Sequence, residues 1–112
     1  MRGQGSRAGQ DVLRRAGDAS VLILISLADG PKHGYALIQD IKELADVTLG
    51  PGTLYGALDR LDRLGLIESL PADDRRHPYR ITAPGAAALR VHLDSIERVS
   101  AAGRLRLQLG GI

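Results

Sequence analysis

The sequence contains no cysteine, tryptophan or phenylalanine, and its aromatic complement is three tyrosines, Tyr35, Tyr55 and Tyr79. Without thiols, disulfides, thiolate metal sites and cysteine nucleophiles are excluded, and a cytoplasmic location is expected. Long apolar runs are missing too. The most apolar stretch, Val21 to Leu27, is interrupted by Ser26 and ends at Ala28-Asp29-Gly30, well short of the roughly 20 residues that span a bilayer. Met1 to Arg15 is polar and Gly-rich, carries Arg2, Arg7, Arg14 and Arg15, and has no apolar h-region, so neither a signal peptide nor a membrane role is expected.

Reactive groups are equally sparse. His33, His77 and His92 are scattered without the paired spacing of zinc ligands, so each reads as structural or solvated and no metal is expected. Asp73 and Asp74 with His77 fall on a polar loop where nothing would exclude water, which argues against acid-base catalysis. Gly3, Gly5 and Gly9 follow no strand and form no phosphate-binding fingerprint. The expectation is a protein that is not an enzyme and has no cofactor.

What is present fits one domain, since 112 residues is a common single-domain length. A chain this short buries only about 60–70% of its unfolded surface, which makes a partner subunit an attractive source of further burial. The formal charge is +2 and the pI about 9.4, a balance that permits phosphate binding without announcing it. Between Pro51 and Ile81 five arginines face five acidic residues. Only two of the 15 basic residues, Lys32 and Lys42, are lysine; arginine suits bidentate phosphate or guanine contacts.

Periodicity predicts a first helix from about Gln10 or Asp18 to Ala28, apolar around most of its circumference and therefore buried. Asp29-Gly30-Pro31 stops it. A second helix runs from about His33 or Gly34 to Ala45, with Leu37, Ile38, Ile41 and Leu44 at helical spacing. Pro51, pre-organised for a first turn, opens a third helix to about Leu64, with Leu54, Leu58, Leu61 and Leu64 as its inner stripe and Gly65 as its stop. Leu66 to Leu70 and Tyr79 to Ile81 read as two short strands around a polar loop, Pro71 to Pro78. Thr82 is the expected N-cap of a last helix that reaches about Ala102, where Gly103 weakens or ends it. Mainly α with a small β-hairpin, in this order, is the layout of a winged helix-turn-helix with a C-terminal dimerisation helix. The expected division is a flexible tail over 1–9, the winged helix over 10–82, and the dimerisation helix and tail over 83–112.

In a helix-turn-helix the second helix of the motif enters the major groove, and neighbouring elements hold phosphates. With its leucines turned inward, the third helix presents Gly52, Thr53, Tyr55, Gly56, Asp59, Arg60 and Arg63. The glycines permit close backbone approach, the hydroxyls and guanidiniums can meet phosphate or base, and Tyr55 reads as a DNA contact. Tyr79 reads as a packed residue, and for Tyr35 packing and contact stay open.

The segments Leu27-Ala28-Asp29-Gly30-Pro31-Lys32-His33-Gly34-Tyr35-Ala36-Leu37, Gly50-Pro51-Gly52-Thr53-Leu54-Tyr55-Gly56-Ala57-Leu58, and Leu61 through Leu64-Gly65-Leu66-Ile67 resemble the PadR family of transcriptional regulators, in its short form with a single C-terminal helix. The resemblance covers about Val21 to Leu89. It implies a winged helix homodimer on double-stranded DNA, repression of a nearby promoter, and relief by a small molecule or stress signal. Lys32, His33 and Tyr35 join the expected DNA face. Gly56 stands where the family often has proline, and the wing, usually basic, is diluted by Asp73 and Asp74, leaving Arg75 and Arg76 as its phosphate or minor-groove contacts.

The last helix carries Leu89, Leu93 and Ile96 on one stripe with Val99 nearby. A lone helix cannot bury that stripe, so packing against a second subunit, with Leu13 of its first helix, is expected; folding back on its own subunit is the alternative. Arg104, Arg106 and the Leu105, Leu107, Leu109 alternation have no assigned role. Two rival functions stay open: a winged helix kept as a protein-interaction module, and a ligand-responsive sensor whose apolar cleft is lined by Leu13, Leu93 and Ile96.

Overall fold

The computed structural model describes residues 19–71 and 76–111. Helix α1 (Ala19–Leu27), α2 (Gly34–Ala45) and α3 (Pro51–Arg63) are followed by strands β1 (Ile67–Ser69) and β2 (Tyr79–Ile81) and by the long helix α4 (Ala83–Leu109). The order is the one expected, and the architecture is a winged helix-turn-helix.

Each boundary has a local cause. Gly30 takes φ 151°, a backbone angle that side chains resist, so the chain can turn sharply after α1. His33 caps α2: its Nδ1 accepts the Ala36 N–H at 3.5 Å, leaving fewer orphan donors in the first turn. The far end of α2 closes on Asp46 at φ 55°, with Lys42 answering twice. The Lys42 carbonyl accepts the Asp46 N–H at 2.9 Å, and its ammonium donates to the Asp46 carboxylate at 2.8 Å. Helix α3 starts on Pro51 as expected. It stops in a Schellman turn, Gly65 at φ 76° donating to the Asp62 carbonyl and Leu66 to the Leu61 carbonyl, both at 3.0 Å.

The core lies where α1, α2, α3, β1 and the first turns of α4 meet. Ile23, Leu27, Leu37, Ile41, Leu54, Leu58, Leu61 and Ile67 are fully or almost fully enclosed, and Leu89 closes the cluster from α4. Each such side chain contributes about 1.5–3 kcal/mol relative to exposure, which is why the inner stripes of α2 and α3 hold the two helices in place. The one buried polar side chain among the described residues, Ser26, donates to the Asp40 carboxylate at 2.5 Å. Leu44 and Leu64, read as inward, are exposed; each sits at the end of its stripe, where the helix leaves the core.

The hairpin pairs Ile67 with Ile81, Glu68 with Arg80 and Ser69 with Tyr79 in antiparallel register. Its first strand is shorter than expected, because Leu66 belongs to the Schellman turn and Leu70 keeps only one bond, its N–H to the Pro78 carbonyl at 2.8 Å. Glu68 and Arg80 form an ion pair at 2.8 Å across the register, a favourable cross-strand pair.

Helix α4 departs most from expectation. It passes through Gly103 without a break and ends at Leu109. An interior glycine costs roughly 0.5–1 kcal/mol against alanine, too little to stop a helix whose flanking turns are intact. At about 1.5 Å per residue it extends about 40 Å, which accounts for the 55 × 30 × 20 Å extents of the chain. Its start is fixed by Thr82, whose hydroxyl accepts the Gly85 N–H at 3.1 Å and donates to the Gly65 carbonyl at 2.7 Å. Gly85 is buried against the Leu66 carbonyl, and a Cβ there would overlap that oxygen. Gly85→Ala would gain up to ~1 kcal/mol of helix propensity, but overpacking against rigid backbone costs about 1–3 kcal/mol. The expected outcome is net destabilisation of about 1–2 kcal/mol, read as a lowered urea midpoint with an unchanged slope; a raised midpoint refutes the close approach.

Leu89 is buried and Leu93 half-buried against the chain's own core, so the proximal turns of α4 do fold back on their own subunit. Ile96, Val99, Leu105, Leu107 and Leu109 are exposed. No helix among the described residues is long and apolar enough to cross a membrane.

Candidate nucleic-acid interface

The outer face of α3 is set by its inner one. Because Leu54, Ala57, Leu58 and Leu61 are buried, Gly52, Thr53, Tyr55, Gly56, Asp59, Arg60 and Arg63 are all exposed. Tyr55 stands 52% exposed, with its ring over Gly34 at the start of α2. A Cβ at Gly34 would overlap the Tyr55 hydroxyl, so the glycine is a seat for the ring.

Around that seat the structure gathers residues far apart in sequence. His33, Gly34, Tyr35, Tyr55, Arg76, His77 and Tyr79 line one shallow cavity of about 270 Å³. All three tyrosines and two of the three histidines of the chain meet there. The wing is brought in by a short backbone pairing that the sequence did not signal: Lys32 donates to the Tyr79 carbonyl at 3.1 Å and accepts from the Tyr79 N–H at 2.9 Å. The linker between α1 and α2 thereby adds a third extended segment to the hairpin, and Arg76 lies with its guanidinium 3.3 Å from His33 Nε2. Such a pairing is invisible to periodicity, because one bridged residue has no period.

The tyrosines separate by environment. Tyr35 is 67% exposed, and its hydroxyl accepts from Gln39 at 3.2 Å. Tyr79 packs on the core, and burial, helped by Tyr55 and Asp62 nearby, pushes its phenol up from the ordinary value. It stays a neutral donor at physiological pH.

The cations divide in the same way. Lys32, expected on the DNA face, is turned inward, its ammonium donating to the Ser26 carbonyl and, at 2.5 Å, to Asp29. The bond from Lys32 and its charge hold the Asp29 carboxyl below the usual carboxylate range. Arg63 is tied to Asp59 at 2.5 Å, which neutralises the C-terminal half of the exposed face. Arg60 reaches back to the Ser20 hydroxyl at 3.2 Å. Arg75 and Leu13 lie outside the described residues. No group of His, Asp and Glu among the described residues is arranged to hold a metal ion.

An exposed helix stripe beside a wing, preceded by a buried helix and a tight turn, is the arrangement that a family model recognises over residues 23–91, as the Transcriptional regulator PadR-like family. The chain belongs to this family. The family is one of transcriptional regulators. Among solved structures, a transcriptional regulator from Clostridium thermocellum superposes with a TM-score of 0.71 at 30% identity, over 82% of this chain and 90% of that one. A PadR family transcriptional regulator from Eggerthella lenta gives 0.71 at 28% identity, over 96% of both chains. Among curated proteins, an uncharacterised 37.1 kDa protein in transposon TN4556 of Streptomyces fradiae is 42% identical over 77% of this chain and 25% of its own length. The transcriptional activator GvpE2 of Halobacterium salinarum is 34% identical over 79% of this chain and 44% of its own. The chain thus spans less than half of the length of these curated relatives.

Proposed function

We propose that the chain binds double-stranded DNA in a sequence-specific manner as a homodimer at a pseudo-palindromic operator, and represses by occupying the promoter. One observation carries the reading: Tyr55 of α3, the start of α2 and the described root of the wing line one surface of hydroxyls, imidazoles and Arg76, beside the exposed residues of α3. In it, Thr53, Tyr55, Gly52 and Gly56 face the major groove, while His33, Tyr35 and Arg76 hold the adjoining phosphates. Arg60 and Arg63 extend this surface once DNA competes for their present partners. Lys32 serves the fold of the turn instead.

The second copy would pair through α4. Beyond Leu93 its stripe, Ile96 and Val99 followed by Leu107, is exposed, and a helix cannot leave such a stripe in water without cost. A twofold pairing of these helices would place two α3 helices about one DNA turn, roughly 34–36 Å, or a multiple of it apart. Repression needs no contact beyond DNA occupancy; two relatives bear the name transcriptional activator, so the sign is read by a promoter fusion with and without the protein. The binding test is fluorescence anisotropy with the DNA upstream of the gene across a salt series. Saturable binding that exceeds scrambled DNA by a hundredfold or more, with log K falling linearly in log salt, is expected. Equal binding to both DNAs, or none, overturns the reading in favour of a protein-interaction module.

The Tyr55 seat gives a finer prediction. Gly34→Ala should displace the ring, weakening operator binding about tenfold while the dimer persists. Gly34→Ala combined with Tyr55→Phe, which removes the overlapping oxygen, should restore thermal stability but not affinity.

A further inference from the structure

On the far side of α3 from the Tyr55 seat, a groove of about 290 Å³ opens where α1, the end of α3 and the proximal turns of α4 meet. Its walls are aliphatic: Val21 and Leu24 from α1, Leu61 from α3, Leu64 and Leu66 from the turn that follows it, and Leu89 from α4. Three polar residues stand among them, Ser20, Arg60 and His92, and among the described residues no acidic side chain lines the groove. The size is at the small end of ligand pockets, which run from about 300 Å³ upward and combine apolar walls with a few polar groups.

The charges are unbalanced in one direction. Lys32, Lys42, Arg63 and Arg80 each reach a carboxylate, whereas the partner of Arg60 among the described residues is the neutral Ser20 hydroxyl. A guanidinium held by a neutral hydroxyl, beside an imidazole and above an apolar wall, is complementary to a carboxylate with an apolar tail. The tail is aliphatic, because the walls are aliphatic and no tyrosine lines the groove to stack on.

We propose that this groove binds a short- to medium-chain aliphatic carboxylate, its head group on Arg60 and His92 and its chain along Leu24, Leu61 and Leu89. The ligand exchanges the Arg60 bond to Ser20 for an ion pair. Because Arg60 projects from α3 itself, occupancy alters how α3 meets DNA and lowers operator affinity. This regulatory half rests on the DNA-binding reading above; the binding half does not. Neither Leu93 nor Ile96, which the sequence reading puts in an effector cleft, lines this groove.

The test is a titration of the full chain with octanoate, 1-octanol and benzoate, followed by leucine and valine methyl NMR and, separately, by operator anisotropy. Octanoate should shift the Leu24, Leu61 and Leu89 methyls saturably, about tenfold more tightly than 1-octanol or benzoate. Arg60→Gln should abolish that preference over 1-octanol, and Ala88→Leu, filling the groove rim, should remove binding while operator affinity persists. Octanoate should weaken operator binding of the unaltered protein about tenfold and leave Ala88→Leu unaffected. Equal shifts from octanoate and 1-octanol, shifts elsewhere, or groove methyls that move only with protein concentration because a second copy seals the site would each overturn the proposal. Binding without effect on DNA overturns its regulatory half alone. Failure of the unliganded protein to bind operator sinks the DNA reading, while the methyl shifts still report on the groove.

Discussion

Tyr55→Ala and Arg76→Ala are each expected to weaken operator binding about ten- to a hundredfold while leaving the far-ultraviolet circular dichroism and the oligomeric mass unchanged. Both side chains are exposed, so neither removal opens a cavity in the core. A hydrogen bond to a charged phosphate is worth about 1.5–3 kcal/mol, and each 1.4 kcal/mol is tenfold in affinity. The two should differ in kind. Arg76→Ala removes a positive charge and should lower the log-log salt slope by about one unit. Tyr55→Ala removes a neutral hydroxyl and should shift the line without changing its slope. Wild-type binding by both variants would mean that DNA, if bound, is met by another surface. Arg76→Ala also frees His33 from the neighbouring guanidinium, so His33→Ala, which removes the α2 cap, is the control for an indirect effect; it should cost thermal stability where Arg76→Ala does not.

Ile96→Glu together with Leu107→Glu is expected to convert a dimer to a monomer. Both residues are exposed in the single chain and fall on the stripe that Leu89 and Leu93 begin. The subunit itself should therefore fold unchanged. Paired with a second copy, each glutamate would be desolvated against an apolar surface, a penalty of several kcal/mol per charge. The mass in sedimentation equilibrium should halve. Operator affinity should fall about a hundredfold or more, because two linked half-site contacts become independent ones. Leu105→Glu lies off this stripe and should disturb the dimer less. A double variant that stays dimeric would move the interface to another face of the molecule; an unaltered protein that is monomeric at micromolar concentration would remove the dimer from the proposal altogether.

The two halves of this molecule were unequally legible. Helix α3 was readable because its signals agree: Pro51 opens it, leucines repeat at helical spacing, and Gly65 closes it. Burial of Leu54, Leu58 and Leu61 then leaves no freedom as to which residues face out. The end of α4 was misread at Gly103, since a glycine penalty under one kilocalorie per mole is a weak stop signal inside a long helix. The resemblance puts Lys32 on the DNA face; its ammonium instead satisfies a carbonyl at the end of α1, a contact that depends on where the chain doubles back.

The sequence by itself determined the element order, the inner stripes, the outward face of α3 and the family, because period, capping residues and turn residues act within a few positions of one another. Tertiary structure alone decided that Lys32 pairs with Tyr79, that Gly34 seats Tyr55, and that Arg60 stands unpaired by any described carboxylate above an aliphatic groove. Those are contacts between segments tens of residues apart, and they are fixed by packing distances that no local pattern encodes.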